Sequence, residues 1–217
     1  MTPAILALLI GGTGLIVGPG LVRLGLRLLR DEAGDPPGRR RQALMALAAA
    51  GIGVWAALAQ PSPLAAVLTA LLGWQLLLIA AIDAEHFCLP DQLTLPLLAT
   101  GGLAAVLLDH TAPLDALIGA AAGFSALWLL AFVYRRLRGR EGLGDGDPFL
   151  LAAGGAWVGW MGLPSVLLWA SAAGLSLVGA RLLVGNRVTA NDRLPFGPCL
   201  AAGIWLTWML GPLGLQP

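Results

Sequence analysis

The chain has no lysine; all 13 of its basic residues are arginine. Cysteine is almost as scarce. Cys88 and Cys199 form no CxxC pair, which excludes a four-thiolate zinc site and a disulfide framework and leaves at most one bridge. Charged residues make up 12% of the chain, against about 25% in an ordinary soluble domain. The formal net charge of +1 is not pooled in a basic segment, so nothing points to a nucleic-acid partner. No internal repeat or low-complexity tract stands out. No basic stretch precedes the first apolar run, which is long enough to span; it is expected to be a span rather than a cleaved signal.

Apolar length takes the place of charge. Of 217 residues, 58% are hydrophobic, and they fall in blocks of roughly 18–22, the length of helix needed to cross a ~30 Å hydrocarbon core. The expected fold is all-α: a polytopic transmembrane helix bundle of about eight spans (six to eight), with residues 1–217 forming one domain. Candidate spans cover about residues 3–29, 42–60, 63–84, 92–109, 113–136, 148–162, 164–185 and 197–214. The sixth is short, and only Gly162, Leu163 and Pro164 separate it from the seventh.

The arginines orient these spans. Six end or follow the first (Arg23, Arg27, Arg30, Arg39, Arg40, Arg41), four follow the fifth (Arg135, Arg136, Arg138, Arg140), and Arg181, Arg187 and Arg193 end or follow the seventh. With eight spans, all lie on one side, and the positive-inside rule makes that side cytoplasmic. The same count brings two acidic clusters to that face. Asp83, Glu85 and Asp91 lie in AIDAEHFCLPDQLTLPLL (residues 81–98), and Glu141, Asp145 and Asp147 in RGREGLGDGDPFLLAAGGAWVGW (residues 138–160).

Taken singly, the acids have ordinary readings. Asp147 before Pro148 suits a helix cap, Asp91 suits another, and Asp83 suits a helix end near arginines. Together they suggest chemistry. Asp83 follows about twenty apolar residues, where an ionisable group is expensive without a polar cavity or partner. Two carboxylates brought together there cannot both ionise readily, and a pair sharing a proton can activate water and polarise a carbonyl. Gly142, Gly144 and Gly146 would give the adjoining loop left-handed backbone and room for an extended peptide.

These segments resemble the type IV prepilin peptidase family, membrane aspartic proteases of the GxGD kind. GLGDGDPFLLAAGGAWVGW is similar to the family's second motif, with Gly144, Asp145, Gly146 and Asp147 as its GxGD. IDAEHFCLPDQLTLPLL is similar to the first, with Asp83 followed by Leu89, Pro90 and Asp91. LPFGPCLAAG (residues 194–203) resembles a third motif before the last helix. The resemblance covers about residues 63–214 and leaves residues 1–60 as divergent N-terminal spans.

The resemblance implies an aspartic endopeptidase with Asp83 and Asp147 as the catalytic pair. Gly144, Asp145, Gly146, Asp91 and Glu141 would belong to the active-site loops, and neither metal nor cofactor is implied. The implied partners are the lipid bilayer and prepilins or pseudopilins, whose short basic leaders would be cut at the cytoplasmic face of the bacterial inner membrane. Many family members carry lysine two residues after the second aspartate; this chain has Phe149. It also has no cysteine-bearing loop after the first span, so a compact form without N-methyltransferase activity is expected.

Three other readings remain open: a relative that is inactive or repurposed, a small proton-coupled transporter, and a structural assembly protein. Transport would favour acids near the bilayer midplane. His86 and His110 read as loop residues, Cys88 and Cys199 as free thiols, and the tryptophans as interfacial or packing residues.

Overall fold

The computed structural model describes residues 2–28, 38–139, 144–185 and 195–214. Their regular structure is helical: α1 (Pro3–Leu28), α2 (Arg39–Ala59), α3 (Pro63–His86), α4 (Asp91–Leu107), α5 (Pro113–Arg138), α6 (Asp147–Leu183) and α7 (Gly197–Leu210). Alanine and leucine favour helix throughout. Proline opens α5, α6 and α7 within their first two positions, where a missing N–H costs nothing. Gly139, with φ 65°, ends α5, its N–H bonded to the Arg135 carbonyl.

Helices α1, α2, α3, α5 and α6 are long and apolar enough to cross a membrane, whereas α4 and α7 are shorter. Leu8, Ile16, Leu137 and Leu175 are each more than three-quarters exposed. Such surfaces are costly in water and ordinary in lipid. The protein is a multi-pass helical membrane protein.

Two compact units divide the chain, Met1–Leu78 and Ile79–Pro217, with the boundary inside α3. In the first, α1 and α2 run antiparallel along a seam of small residues. A Cβ added at Gly11 would stand 2.7 Å from Val54, and one at Gly53 would stand 2.7 Å from the Ile10 carbonyl. Without a hydrophobic driving force between helices in lipid, such close backbone approach supplies much of the packing energy. The Trp74 indole donates to the Ala49 carbonyl at 2.9 Å.

In the second unit α6 is the central element, and it turns back on itself. Gly159 has φ 71° and ψ 173°, a region open to glycine alone. Before it, Gly154 faces Ile204 and Trp157 packs against Trp208, in ascending order along α7. After it, Gly162 approaches Thr207, Val166 approaches Gly203, and Gly174 approaches Cys199, in descending order. The sixth and seventh expected spans are therefore the two arms of α6.

Their junction lies earlier than the Gly162–Pro164 break suggested by the sequence. Pro164 lies inside the second arm, just beyond its first turn. The Thr111 hydroxyl donates to the Trp157 carbonyl beside the junction at 3.0 Å, and the Trp160 indole donates to Asp115 at 3.0 Å.

Helix α5 runs antiparallel to the first arm: Gly119 meets Gly155, and a Cβ at Gly123 would stand 2.6 Å from the Leu151 carbonyl. Helix α4 runs parallel to that arm, with Leu89 before it at Gly146 and Gly101 against Trp157. These directions put Arg135, Arg136, Arg138 and Arg181 at the same end of the unit as Asp83, Asp91 and Asp147.

Candidate active site

Asp83 occupies the last turn of α3 and is 6% exposed. Helix α3 ends at His86, and the next residue, Phe87, donates its N–H to the Asp83 carbonyl and has φ 51°, unusual for a bulky residue. The Asp83 Oδ2 accepts a buried hydrogen bond from the Gly197 N–H at 2.9 Å. That amide opens α7, where N–H groups lack helical partners and the helix dipole is positive. A buried carboxylate needs such a donor. A Cβ at 197 would stand 2.6 Å from the Asp83 Oδ2 and 2.8 Å from its Cγ, so a larger residue there would push the carboxylate off its anchor.

Asp147 is the first residue of α6 and is 3% exposed. Its Oδ2 accepts from the Gly144 N–H at 3.0 Å, and its own N–H donates to the Gly144 carbonyl at 3.2 Å. The side chain thus reaches back to the preceding loop and does not cap α6, because no side-chain cap bond forms at that terminus. Asp91 likewise begins α4 without capping it, and its side chain is exposed.

The structure brings Asp83 and Asp147 together, near enough for their charges to interact. Each keeps one carboxylate oxygen on a glycine amide, and the starts of α6 and α7 both direct positive dipole ends to the pair. This arrangement fixes two buried acids at one end of the unit, each on its own backbone donor.

The loop glycines act differently from the sequence expectation. Neither Gly144 nor Gly146 has positive φ, and Gly146 sits at φ −84°, ψ −19°. Glycine is needed at 146 for space, because a Cβ there would collide with the Leu89 Cβ and stand 3.1 Å from its carbonyl. Leu89 thereby docks the loop after Asp83 onto the loop before Asp147. Gly144 contributes its amide, and Asp145 is exposed in the turn. Glu141 and Gly142 lie outside the described residues.

Two neighbours had no site role in the sequence reading. Gly197 anchors Asp83; its only signal was the FGP segment before the last apolar run. Cys199, buried in the first turn of α7, is within electrostatic reach of both aspartates. Elsewhere, His86 is exposed, 3.8 Å from Glu85. Trp157 is a core residue, its indole donating to the Leu97 carbonyl at 3.0 Å. Phe149 packs edge-on against Phe124, with ring centroids 5.0 Å apart.

A family model described as the type IV leader peptidase family matches residues 70–179, a stretch that holds both buried aspartates and the whole GxGD loop. The chain belongs to that family. Curated relatives carry the name prepilin leader peptidase/N-methyltransferase. The protein from Aeromonas salmonicida (strain A449) is 46% identical over 142 residues, 65% of this chain and 48% of the relative. That from Dickeya chrysanthemi is 47% identical over 139 residues, 63% of this chain and 48% of the relative. The Pseudomonas aeruginosa protein is 40% identical over 141 residues, 65% and 48%. This leader peptidase family member spans about half the length of the curated relatives it matches. No solved structure matches it.

Proposed function

We propose that this chain is a membrane-embedded aspartic endopeptidase that removes the short basic leader from prepilin or pseudopilin precursors, with Asp83 and Asp147 as its catalytic pair. One observation carries the reading: two buried carboxylates from distant helix ends converge, each fastened through one oxygen to a glycine amide. The relatives named for prepilin leader peptidase activity supply the substrate class.

The chemistry follows from a pair holding one proton. The ionised aspartate takes a proton from water as the water oxygen attacks the scissile carbonyl, while the protonated one gives its proton to the carbonyl oxygen. The tetrahedral intermediate then collapses. Its C–N bond breaks, a proton passes to the leaving amine, and the pair returns to its singly protonated state. The amide anchors fix the carboxylates through each proton transfer, so little reorganisation accompanies reaction.

In this reading the site faces the cytoplasm of a bacterial inner membrane, since Arg135, Arg136, Arg138 and Arg181 lie at its end of the second unit. Exposed Asp91 and Asp145 flank the pair and receive the basic leader. The reaction assigned to the chain is hydrolysis alone, without N-methylation.

The test is leader removal from co-expressed prepilins and pseudopilins, followed by mass spectrometry. Asp83→Asn and Asp147→Asn keep the side-chain shape and remove the titratable proton. Each is expected to abolish cleavage, whereas Asp91→Asn and Asp145→Asn raise KM and leave kcat largely intact. Cleavage surviving in either of the first two variants would rule out the pair.

A further inference from the structure

At the end of the second unit opposite the aspartates, a cavity of about 70 Å³ is lined by His110, Thr111, Val158, Thr207, Trp208 and Pro212. It lies where the α4–α5 turn, the reversal of α6 and the last turn of α7 meet. Thr207 is 2% exposed, and among the described residues its Oγ1 has no hydrogen-bond partner. Other helical threonines here donate to their own helix: Thr13 to the Ile10 carbonyl at 2.7 Å and Thr100 to the Pro96 carbonyl at 2.9 Å. Thr207 makes no such bond, and it is one of the residues that line the cavity.

The other polar groups of the lining have capacity to spare. The Thr111 hydroxyl proton is committed to the Trp157 carbonyl, which leaves its oxygen free to accept. The His110 imidazole is exposed overall, but one face lies against Trp208 with ring centroids 4.5 Å apart. That partial burial holds it below the ordinary histidine value, and the neutral ring presents one donor and one acceptor. Cavities that stay dry are lined by apolar groups, whereas a polar one of this size has room for ordered water.

The geometry points to an internal hydration site: water bound in this cavity by the Thr207 hydroxyl together with the His110 and Thr111 side chains. Bound there, it joins the three elements around Gly159 and completes the hydrogen bonding at the reversal of α6.

The sign of a stability change tests this. An unsatisfied buried hydroxyl is a liability, so removing it stabilises; a water-bonded one contributes, so removing it destabilises and strands its partner. Thr207→Val preserves side-chain shape. In the full chain in nanodiscs its melting temperature is expected to fall by about 2–4 °C, and Thr207→Ser is expected to stay near the parent. In parallel, hydroxyl-radical footprinting after mixing into ¹⁸O water is expected to show slowly exchanging label at His110 and Trp208, lost in Thr207→Val. An unchanged or higher melting temperature overturns the site. So does a fall in melting temperature with the slow label still present, because the loss would then come from packing.

Discussion

A buried carboxylate must find donors that the solvent no longer supplies, and Asp83 and Asp147 find them in backbone amides of glycine. The choice of glycine has different grounds at each position. At 197 a Cβ would press on the Asp83 carboxylate, and at 146 on Leu89, but at 144 it would meet the Asp147 Oδ2 only at an ordinary 3.4 Å. Gly197→Ala is therefore expected to displace the flexible end of Asp83 while sparing the fold. Its kcat should fall on the order of 10²-fold, the penalty of a misplacement near 1 Å, with an unchanged melting temperature. Gly144→Ala, assayed alongside, should stay within about tenfold of the parent. Equal losses in the two variants would mean that the glycines serve the substrate's approach and not the anchoring of the acids. The sequence exposed both aspartates, because acids are rare in a chain this apolar. Their anchors were hidden: the amide that holds Asp83 lies 114 residues further along, and no local pattern reports such a partner.

Among the elements, α6 carries most of the architecture of the second unit, since its two arms pack on α7 in opposite directions and its first arm also meets α4 and α5. Its reversal depends on a backbone conformation that costs other residues about 1–3 kcal/mol. A Cβ at 159 would also come within 3.1 Å of the Thr111 Cγ2. Gly159→Ala is expected to lower the melting temperature by several degrees, measured by thermal denaturation in nanodiscs. No change would mean that the arms tolerate another junction. Two spans were readable here from hydropathy, but the place where the chain turns was not. Proline is the louder signal, yet Pro164 lies inside the second arm, past the place where the chain turns. The residue that breaks the helix is one glycine among 30. Helix starts mislead in the same way. Asp147 and Asp91 both stand at helix starts, but neither caps: one is turned back to Gly144 and the other faces outward.

For the whole molecule, the proposed cytoplasmic orientation follows from arginine placement and can be checked with the protein's own thiols. Cys88 is exposed in the loop after Asp83, at the end of the unit that carries the aspartates, while Cys199 is buried. A membrane-impermeant maleimide is expected to label Cys88 in inverted inner-membrane vesicles and not in intact spheroplasts, with Cys88→Ser as the unlabelled control. Labelling from the outside would reverse the topology and place the site away from any cytoplasmic leader. Overall class was the most legible feature of the sequence, because membrane insertion is governed by apolar length and charge distribution, both of which are linear properties. Assembly into compact units was less so, and their boundary falls inside an uninterrupted apolar helix.

The bond from Gly197 to Asp83 also has a meaning in time. A ribosome releases α3 well before α7, so the Asp83 carboxylate has to wait for an amide made 114 residues later. Until α7 inserts, the two acids lack the scaffold that holds one of them. Under the proposed function, a chain made only as far as α6 is thereby kept from cutting membrane-bound peptides around it, and the arrival of α7 doubles as the step that arms the pair.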